Sequence, residues 1–463
     1  MIEPYQKKSF RDPSGFIIES NRQIFRGIHK SKEGFYKDLF SSDWYENLVR
    51  NNKVQSSAWH VSNGLDDTYL WVKHHKFNFP LSPHEITAEQ LYKSALLTIE
   101  IAKNALDNNF ILKDASAWNV VLDEGQTIFC DVTSFETYCG GSLWVAYGQF
   151  CRHFIIPLLL HKYLKMSPAK LFLTSRDGVK PKDAKHLLRW SAITSLAAFE
   201  AVLLPSLVSD SGKSDGGLLK SNKENTELNK TILLNTFNRL EKYIRTLQPS
   251  KIAQKSTWSE YESDRHHYST EDLEAKFNFI KESLKLCNGP VLDLGCNQGQ
   301  YSQLASSLGL KVVATDFDEN SLIKLESKNN NTNISVSLLN ICQPTPSIGW
   351  DNREHISFLE KAKNHFEIVL CLGLIHHMLV TERIPLSLIV DTLASCTNKF
   401  LLIEWIEPDD QKFKEISSYE EDLYSFLSSS YFESSVTTNF KIINKVKLQQ
   451  AKRSLYLLEK VVG

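Results

Sequence analysis

The chain has 463 residues, is 42% hydrophobic and 23% charged, and carries a formal charge of −1. That balance excludes a disordered, collagen-like or disulfide-scaffold protein and leaves an ordinary globular class. Single cores rarely grow beyond about 250–300 residues, so more than one domain is expected. Charge is unevenly spread: residues 1–249 carry 31 Lys and Arg against 26 Asp and Glu, residues 250–463 carry 22 against 28. No dense Lys/Arg cluster marks a nucleic-acid stripe. The eight cysteines form no CxxC pair, and several, such as Cys130 and Cys371, sit in apolar runs. They read as buried reduced thiols, which suits a cytoplasmic location. Met1–Ser20 is polar, with Pro4 and Pro13, and does not read as a secretory leader. Neither long apolar stretch, His153–Leu164 nor Ser191–Val208, reads as a membrane span. No membrane insertion is expected.

In chain order, Gly15–His29 predicts a small hairpin around Ser20-Asn-Arg. Thr87–Asn108 predicts a helix, with apolar residues at Leu91, Ala95, Ile99 and Leu106. Phe110–Phe135 reads as loop and short strands, and Leu143–Leu164 and Asp183–Leu207 as helices. Ser209–Glu227, rich in Ser, Gly, Asp, Lys and Asn, reads as a linker. Leu228–Leu247 predicts a helix able to bridge the two halves. These features divide the chain into an α+β module over 1–208, a linker and bridging helix over 209–250, and a second domain over 251–463.

From residue 290 onward β and α segments alternate. Strands are expected at 290–294, 311–315, 334–339, 366–372, 400–405, Phe440–Leu448 and Arg453–Lys460. Helices are expected at 299–308, 318–328, 354–363 and 385–396. Alternation of this kind predicts a doubly wound, mostly parallel Rossmann-like sheet covered on both faces.

The first strand ends in Asp293-Leu-Gly295-Cys-Asn297-Gln-Gly299, and the second ends in Asp316, 23 residues after Asp293. Gly295 and Gly299 let the backbone turn sharply and approach a ligand closely. Amides at the start of the next helix face that ligand. Asp293 can anchor the amino-acid end of a cationic cofactor, and Asp316 can accept hydrogen bonds from ribose hydroxyls. The third glycine of a dinucleotide fingerprint would fall at Gln300. The loop resembles motif I of class I S-adenosylmethionine (SAM) dependent methyltransferases. The resemblance implies SAM as cofactor. It places Asn340, at the end of the third strand, near the adenine, where the family often has an acid. It also places Gly373-Leu-Ile-His376-His377 beside the reactive methyl. His376 and His377 are candidate catalytic residues: either can serve as a general base or cap the loop. Trp258, Tyr261 and Tyr268 can lie over the cofactor with cation–π contact to a sulfonium, or simply pack. Glu404 and Trp405 shape an acceptor pocket or pack at the sheet edge. No metal ligands are expected.

In the N-terminal half, Asp114, Asn119 and Asp131 follow the order and spacing of the catalytic core of kinase-like phosphotransferases, which they resemble. A glycine-rich loop and a VAIK-like lysine are missing, Lys113 stands where the kinase loop has arginine, and Asp131-Val-Thr replaces DFG. The resemblance is to a degenerate kinase-like module. With Tyr147-Gly-Gln-Phe-Cys-Arg-His153, Thr257-Trp-Ser-Glu-Tyr261 and Pro344-Thr-Pro-Ser-Ile-Gly-Trp350, the chain is similar to a bacterial methyltransferase family that includes the NoeA group. That resemblance implies methyl transfer to an unidentified acceptor, a small molecule before RNA or protein, with the N-terminal module binding or presenting it. The residues leave two alternatives open: a phosphotransferase with a regulatory SAM-binding domain, and a non-catalytic SAM-binding scaffold.

Overall fold

In the computed structural model, residues 11, 14–20, 22–60, 69–188, 195–210, 225–251, 268–328, 333–417 and 421–461 are described. Two compact units divide the chain. The first comprises Met1–Ile252 with Ile348–His355, the second Ala253–Ser347 with Ile356–Gly463.

The first unit is α+β. The expected hairpin is β1 (Gly15–Ser20) and β2 (Gln23–His29). With β3 (Ser57–His60) and β4 (Tyr69–His74) it makes an antiparallel sheet of order β1-β2-β4-β3. Phe16, Ile18, Phe25 and Trp71 form a core cluster in this sheet. Helix Ala88–Asp107 follows, opened by a capping box: Thr87 Oγ1 accepts the Gln90 amide and Gln90 Oε1 accepts the Thr87 amide. The short pairs β5 (Phe110–Leu112) with β8 (Phe135–Thr137), and β6 (Val120–Asp123) with β7 (Gln126–Phe129), carry the 110–135 segment.

The helix predicted as a bridge, Leu228–Leu247, spans Thr226–Thr246 and packs inside the first unit, where Lys103 pairs with Glu241 at 2.5 Å. Two expected helices are divided. Leu143–Leu164 resolves into Tyr147–Phe150 and Ile156–Leu164 around a π-turn at Cys151–Ile155. Of Asp183–Leu207, one helix is Pro181–Leu187, ending where Leu188 turns extended, and another begins at Leu196 under a Ser195 cap; residues 189–194 lie outside the described residues. Of the predicted linker, residues 211–224 lie outside the described residues.

The second unit holds β9 (Val291–Leu294), β10 (Val312–Asp316), β11 (Ile334–Leu338), β12 (Phe366–Cys371), β13 (Thr397–Ile406), β14 (Phe440–Lys447) and β15 (Arg453–Lys460). Their order is β11-β10-β9-β12-β13-β15-β14. The first five are parallel; β14 and β15 pair antiparallel, since their connection is far too short for a crossover. This is the doubly wound α/β architecture predicted. Helices Gln300–Ser307, Glu319–Lys328 and Leu386–Cys396 supply crossovers. The helix expected at 354–363 starts only at Phe358, capped by Ser357, because His355 is held in an isolated bridge with Ile348. Among the described residues, no helix is long and apolar enough to cross a membrane.

Candidate functional site

After β9 the chain moves outward through β10 and β11, then returns to the other side of β9 as β12. The crevice opens at that switch point, beyond the carboxyl ends of the strands. A cavity of about 290 Å³ lies there.

Its floor is the glycine turn. Gly295, Asn297 and Gly299 all have positive φ, at 69°, 52° and 77°. Asparagine tolerates this region better than most side chains. At Gly299 a Cβ would stand 2.6 Å from Leu325, so no larger residue fits without displacing that packing.

Asp293 sits at the end of a wholly buried strand and accepts a 2.5 Å hydrogen bond from Ser302 Oγ. Asp316 ends β10. Its Oδ2 accepts the Asn297 amide and its Oδ1 the Asp318 amide, both at 2.8 Å. Burial pushes both carboxyls up to about 6. For Asp293 the Asp316 charge adds to the rise, against the Ser302 hydrogen bond; for Asp316 the two amides pull the other way. Both acids line the cavity, with Gly295, Asn297 and Asn340. Asn340 Oδ1 accepts the Cys342 amide at 3.0 Å, which shapes its own turn.

Of the histidine pair, His377 lines the cavity, while His376 is buried outside the lining. The rings lie 4.1 Å apart. Burial, then the Arg453 charge, hold His377 below its ordinary pKa and favour its neutral form. Tyr268 lines the cavity, but its ring already faces two of the protein's own cations, Lys276 Nζ at 5.0 Å and Arg453 Cζ at 4.8 Å from the centroid. Trp258 and Tyr261 lie outside the described residues.

The alternation of β13 separates Glu404 from Trp405. Trp405 stacks on Phe432 at 4.8 Å and is core packing, not pocket wall. Glu404 enters a buried network: its Oε1 accepts from Tyr268 Oη at 2.6 Å and its Oε2 from Lys276 Nζ at 2.7 Å. Arg453 donates to Tyr268 Oη at 2.5 Å and to Asp410 at 2.9 and 3.2 Å. Burial alone would raise Glu404; Lys276 and Arg453 more than offset it and pull the carboxyl down to about 2. Sequence reasoning missed Lys276 and Arg453. Lys276 lies on the helix Thr270–Leu284, where a lysine ordinarily reads as surface. Arg453 opens the last strand, and only antiparallel pairing brings its end of β15 to the crevice edge, opposite Ile406.

In the first unit, Asp114, Asn119 and Asp131 do come together. Asp131 accepts from Thr133 Oγ1 at 2.6 Å and Ser134 Oγ at 2.7 Å, and Asn119 Nδ2 donates to the same Ser134 hydroxyl at 2.9 Å. Burial, then the Asp131 charge, raise Asp114. Asp131 itself is ion-paired with Arg26 of β2 at 3.1 Å. Burial alone would raise its carboxyl, but Arg26 and the hydroxyl donors overcome that and leave it below the usual range. Arg26 was invisible in the sequence because it sits in a hairpin with no motif around it.

The profile of the family described as tellurite resistance protein TehB matches residues 261–353. The nodulation protein NoeA of Rhizobium meliloti is 26% identical over 463 residues, covering 98% of this chain and 95% of NoeA. The chain is thus similar to NoeA over nearly the whole length of both proteins. A tRNA U34 carboxymethyltransferase of Nautilia profundicola is 33% identical over 106 residues, which span 22% of this chain and 30% of that protein. The crystal structure of the N-methyltransferase NodS from Bradyrhizobium japonicum superposes with a TM-score of 0.30 at 10% identity, over 42% of this chain and 98% of NodS.

Proposed function

We propose that the second unit binds SAM in the β9–β10 crevice and transfers its methyl group to an acceptor. One observation carries the reading: the Asp316 carboxylate holds the glycine turn by the Asn297 amide while both line one cavity with Asp293. The residues fit the cofactor. Gly299 keeps the turn against Leu325, and the two acids meet a molecule with hydroxyls and a positive charge. SAM supplies an electrophilic methyl on a sulfonium, so an acceptor lone pair bonds to that carbon as the C–S bond breaks and its electron pair stays on sulfur. The chain's part is alignment and exclusion of water. The turn and Asp316 hold the nucleoside, Asn340 flanks the base, and the loop after β12 borders the reacting side. On this reading His377, held toward its neutral form, takes the proton released by the acceptor or fixes the acceptor's orientation. His376, outside the lining, acts at most through its neighbour.

The first unit, on this reading, binds or presents the acceptor. The Arg26–Asp131 pair weighs against phosphoryl transfer, because an arginine occupies the carboxylate that would have to hold Mg²⁺. Calorimetry with SAM, S-adenosylhomocysteine, NAD and ATP tests the assignment. The two sulfur nucleosides bind and NAD does not; the reverse order sinks it. Labelled SAM incubated with cell extract then separates an enzyme from a scaffold, since a scaffold transfers no label.

A second reading draws on the carboxymethyltransferase relative: the transferred group itself bears a carboxylate. Two buried cations in the cavity lining favour it.

A further inference from the structure

Five residues with charged side chains line the cavity: Asp293, Asp316, Glu382, Lys276 and Arg453. The cavity is polarised. Asp293 is the penultimate residue of β9, and Asp316 ends β10. Arg453 opens β15, three strand steps from β9 through β12 and β13, or roughly 14 Å at the usual strand spacing. Lys276 joins Arg453 around the Tyr268 hydroxyl, at 3.3 Å and 2.5 Å. Glu382 is solvent-exposed.

Both cations are buried, with side-chain exposures of 7% for Lys276 and 1% for Arg453. Burial of two such groups is costly unless each is paired, and each is: Lys276 with Glu404, Arg453 with Asp410. The arrangement of those pairs is the informative point. The cations and the tyrosine face the cavity, whereas Glu404 and Asp410 are buried and absent from its lining. The carboxylates therefore stand behind and fix the cations in place. The wall seen by a ligand is positive, with hydrogen-bond donors held by partners on their far side. A wall of pure packing would use apolar residues, which fit at lower desolvation cost.

We infer that the Lys276–Tyr268–Arg453 wall recognises a carboxylate on the reacting side of the site, carried by the methyl acceptor or by the transferred group. This rests on the sulfonium-cofactor reading above and adds the substrate class. A carboxylate there meets two buried cations whose counter-ions lie outside the lining and gains charge-assisted hydrogen bonds, whereas a neutral ligand gains none. The same chemistry is available from the cofactor's own amino-acid end, and the experiment must separate that source.

The test begins with binding in wild-type protein. Protein saturated with S-adenosylhomocysteine is titrated with benzoate and benzamide, and with acetate and acetamide. In parallel, the apo protein is titrated with SAM and with its S-carboxymethyl analogue. The acid of either amide pair, or the S-carboxymethyl donor, binds at least tenfold more tightly than its partner without that carboxylate. Tight acids place the carboxylate on the acceptor; a tight S-carboxymethyl donor places it on the transferred group. Equal affinities in all three comparisons overturn the inference. The paired variant Lys276→Met with Glu404→Gln removes one cation and its counter-ion together, which avoids a lone buried charge. It loses the preference and keeps SAM affinity within threefold. A tenfold loss of SAM affinity in that variant, with its thermal unfolding unchanged, assigns the wall to the cofactor and overturns the inference. Failure of wild type to bind S-adenosylhomocysteine at all is a different result, and rejects the cofactor reading itself.

Discussion

Asp316 Oδ2 accepts the amide of Asn297 at 2.8 Å, so the tip of the second strand is hydrogen-bonded to the turn that leaves the first. One side chain thus sets the turn and borders the cavity. On the proposed reading, binding and local stability are coupled through it.

Asp316→Ala removes both functions. SAM affinity should fall tenfold or more, on the order of 1.4 kcal/mol or above. Calorimetry on the folded variant measures it, and an unchanged dissociation constant would show that the sugar contact is misassigned.

The two buried acids give pH dependence of defined sign. Folding raises Asp293 and Asp316 from 3.8 to about 6, so the native state binds their protons more tightly than the unfolded chain. Their contribution to stability is full below about 4 and is lost as pH rises through about 6. Glu404 works oppositely. Folding lowers it from 4.5 to about 2, so its contribution is present above about 4.5 and is lost as pH falls toward 2. Denaturation of the cofactor-free protein at pH 7.5 and pH 5.5 should show the Asp316→Asn variant gaining less from the lower pH than wild type. SAM, which needs the acids ionised, should bind more weakly at pH 5 than at pH 7.5, by about tenfold for each acid that must ionise. Calorimetry in buffers of different ionisation enthalpy should register proton release on binding. Identical affinity at both pH values would contradict the buried-acid account.

Gly299→Ala should destabilise the second unit by about 2 kcal/mol or more, because the new methyl meets Leu325 in a left-handed turn. Gly309→Ala, also at positive φ but with nothing within 4 Å, should cost roughly 1 kcal/mol from backbone strain alone. Urea unfolding of the two variants compares them; equal costs would mean the Leu325 contact relaxes freely.

Glu404→Gln strands Lys276 beside a neutral amide in a buried site. A loss of about 3–5 kcal/mol is expected, with most of it recovered when Lys276→Met is added. A double-mutant cycle by denaturation reads the coupling. Additive losses would show that the pair is not an energetic unit.

In the first unit, Asp131→Ala leaves Arg26 buried without its ion pair. Thermal unfolding should fall clearly, while calorimetric titration of wild type with ATP and Mg²⁺ gives no heat of binding. Measurable Mg²⁺-dependent ATP binding that Asp131→Ala abolishes would restore the phosphotransferase reading.

The sequence by itself determined the strands of the second unit, most of its helices and the turn at its centre, but not helices Gln411–Ser417 and Ser429–Val436. Those signals are local: apolar runs between glycine and polar breaks, and positions where only a missing side chain suits the backbone. Gly295, Gly299, Asp293 and Asp316 were legible because motif, strand end and turn lie within one short stretch. Tertiary structure alone decided what faces the cavity. Lys276, Tyr268, Glu404 and Arg453 are scattered over the final 190 or so residues, and a long-range network leaves no periodic trace. Strand alternation sent Glu404 into that network and Trp405 onto Phe432. Antiparallel closure of β15 against β13 carried Arg453 to the crevice. In the first unit, pairing of the β1–β2 hairpin with β4 put Arg26 against Asp131, and a motif that read as a metal-binding acid became half of an ion pair. The physical reason is common to all of these. Backbone propensity acts over a few residues, whereas the charge state and exposure of a side chain depend on whatever the fold packs beside it.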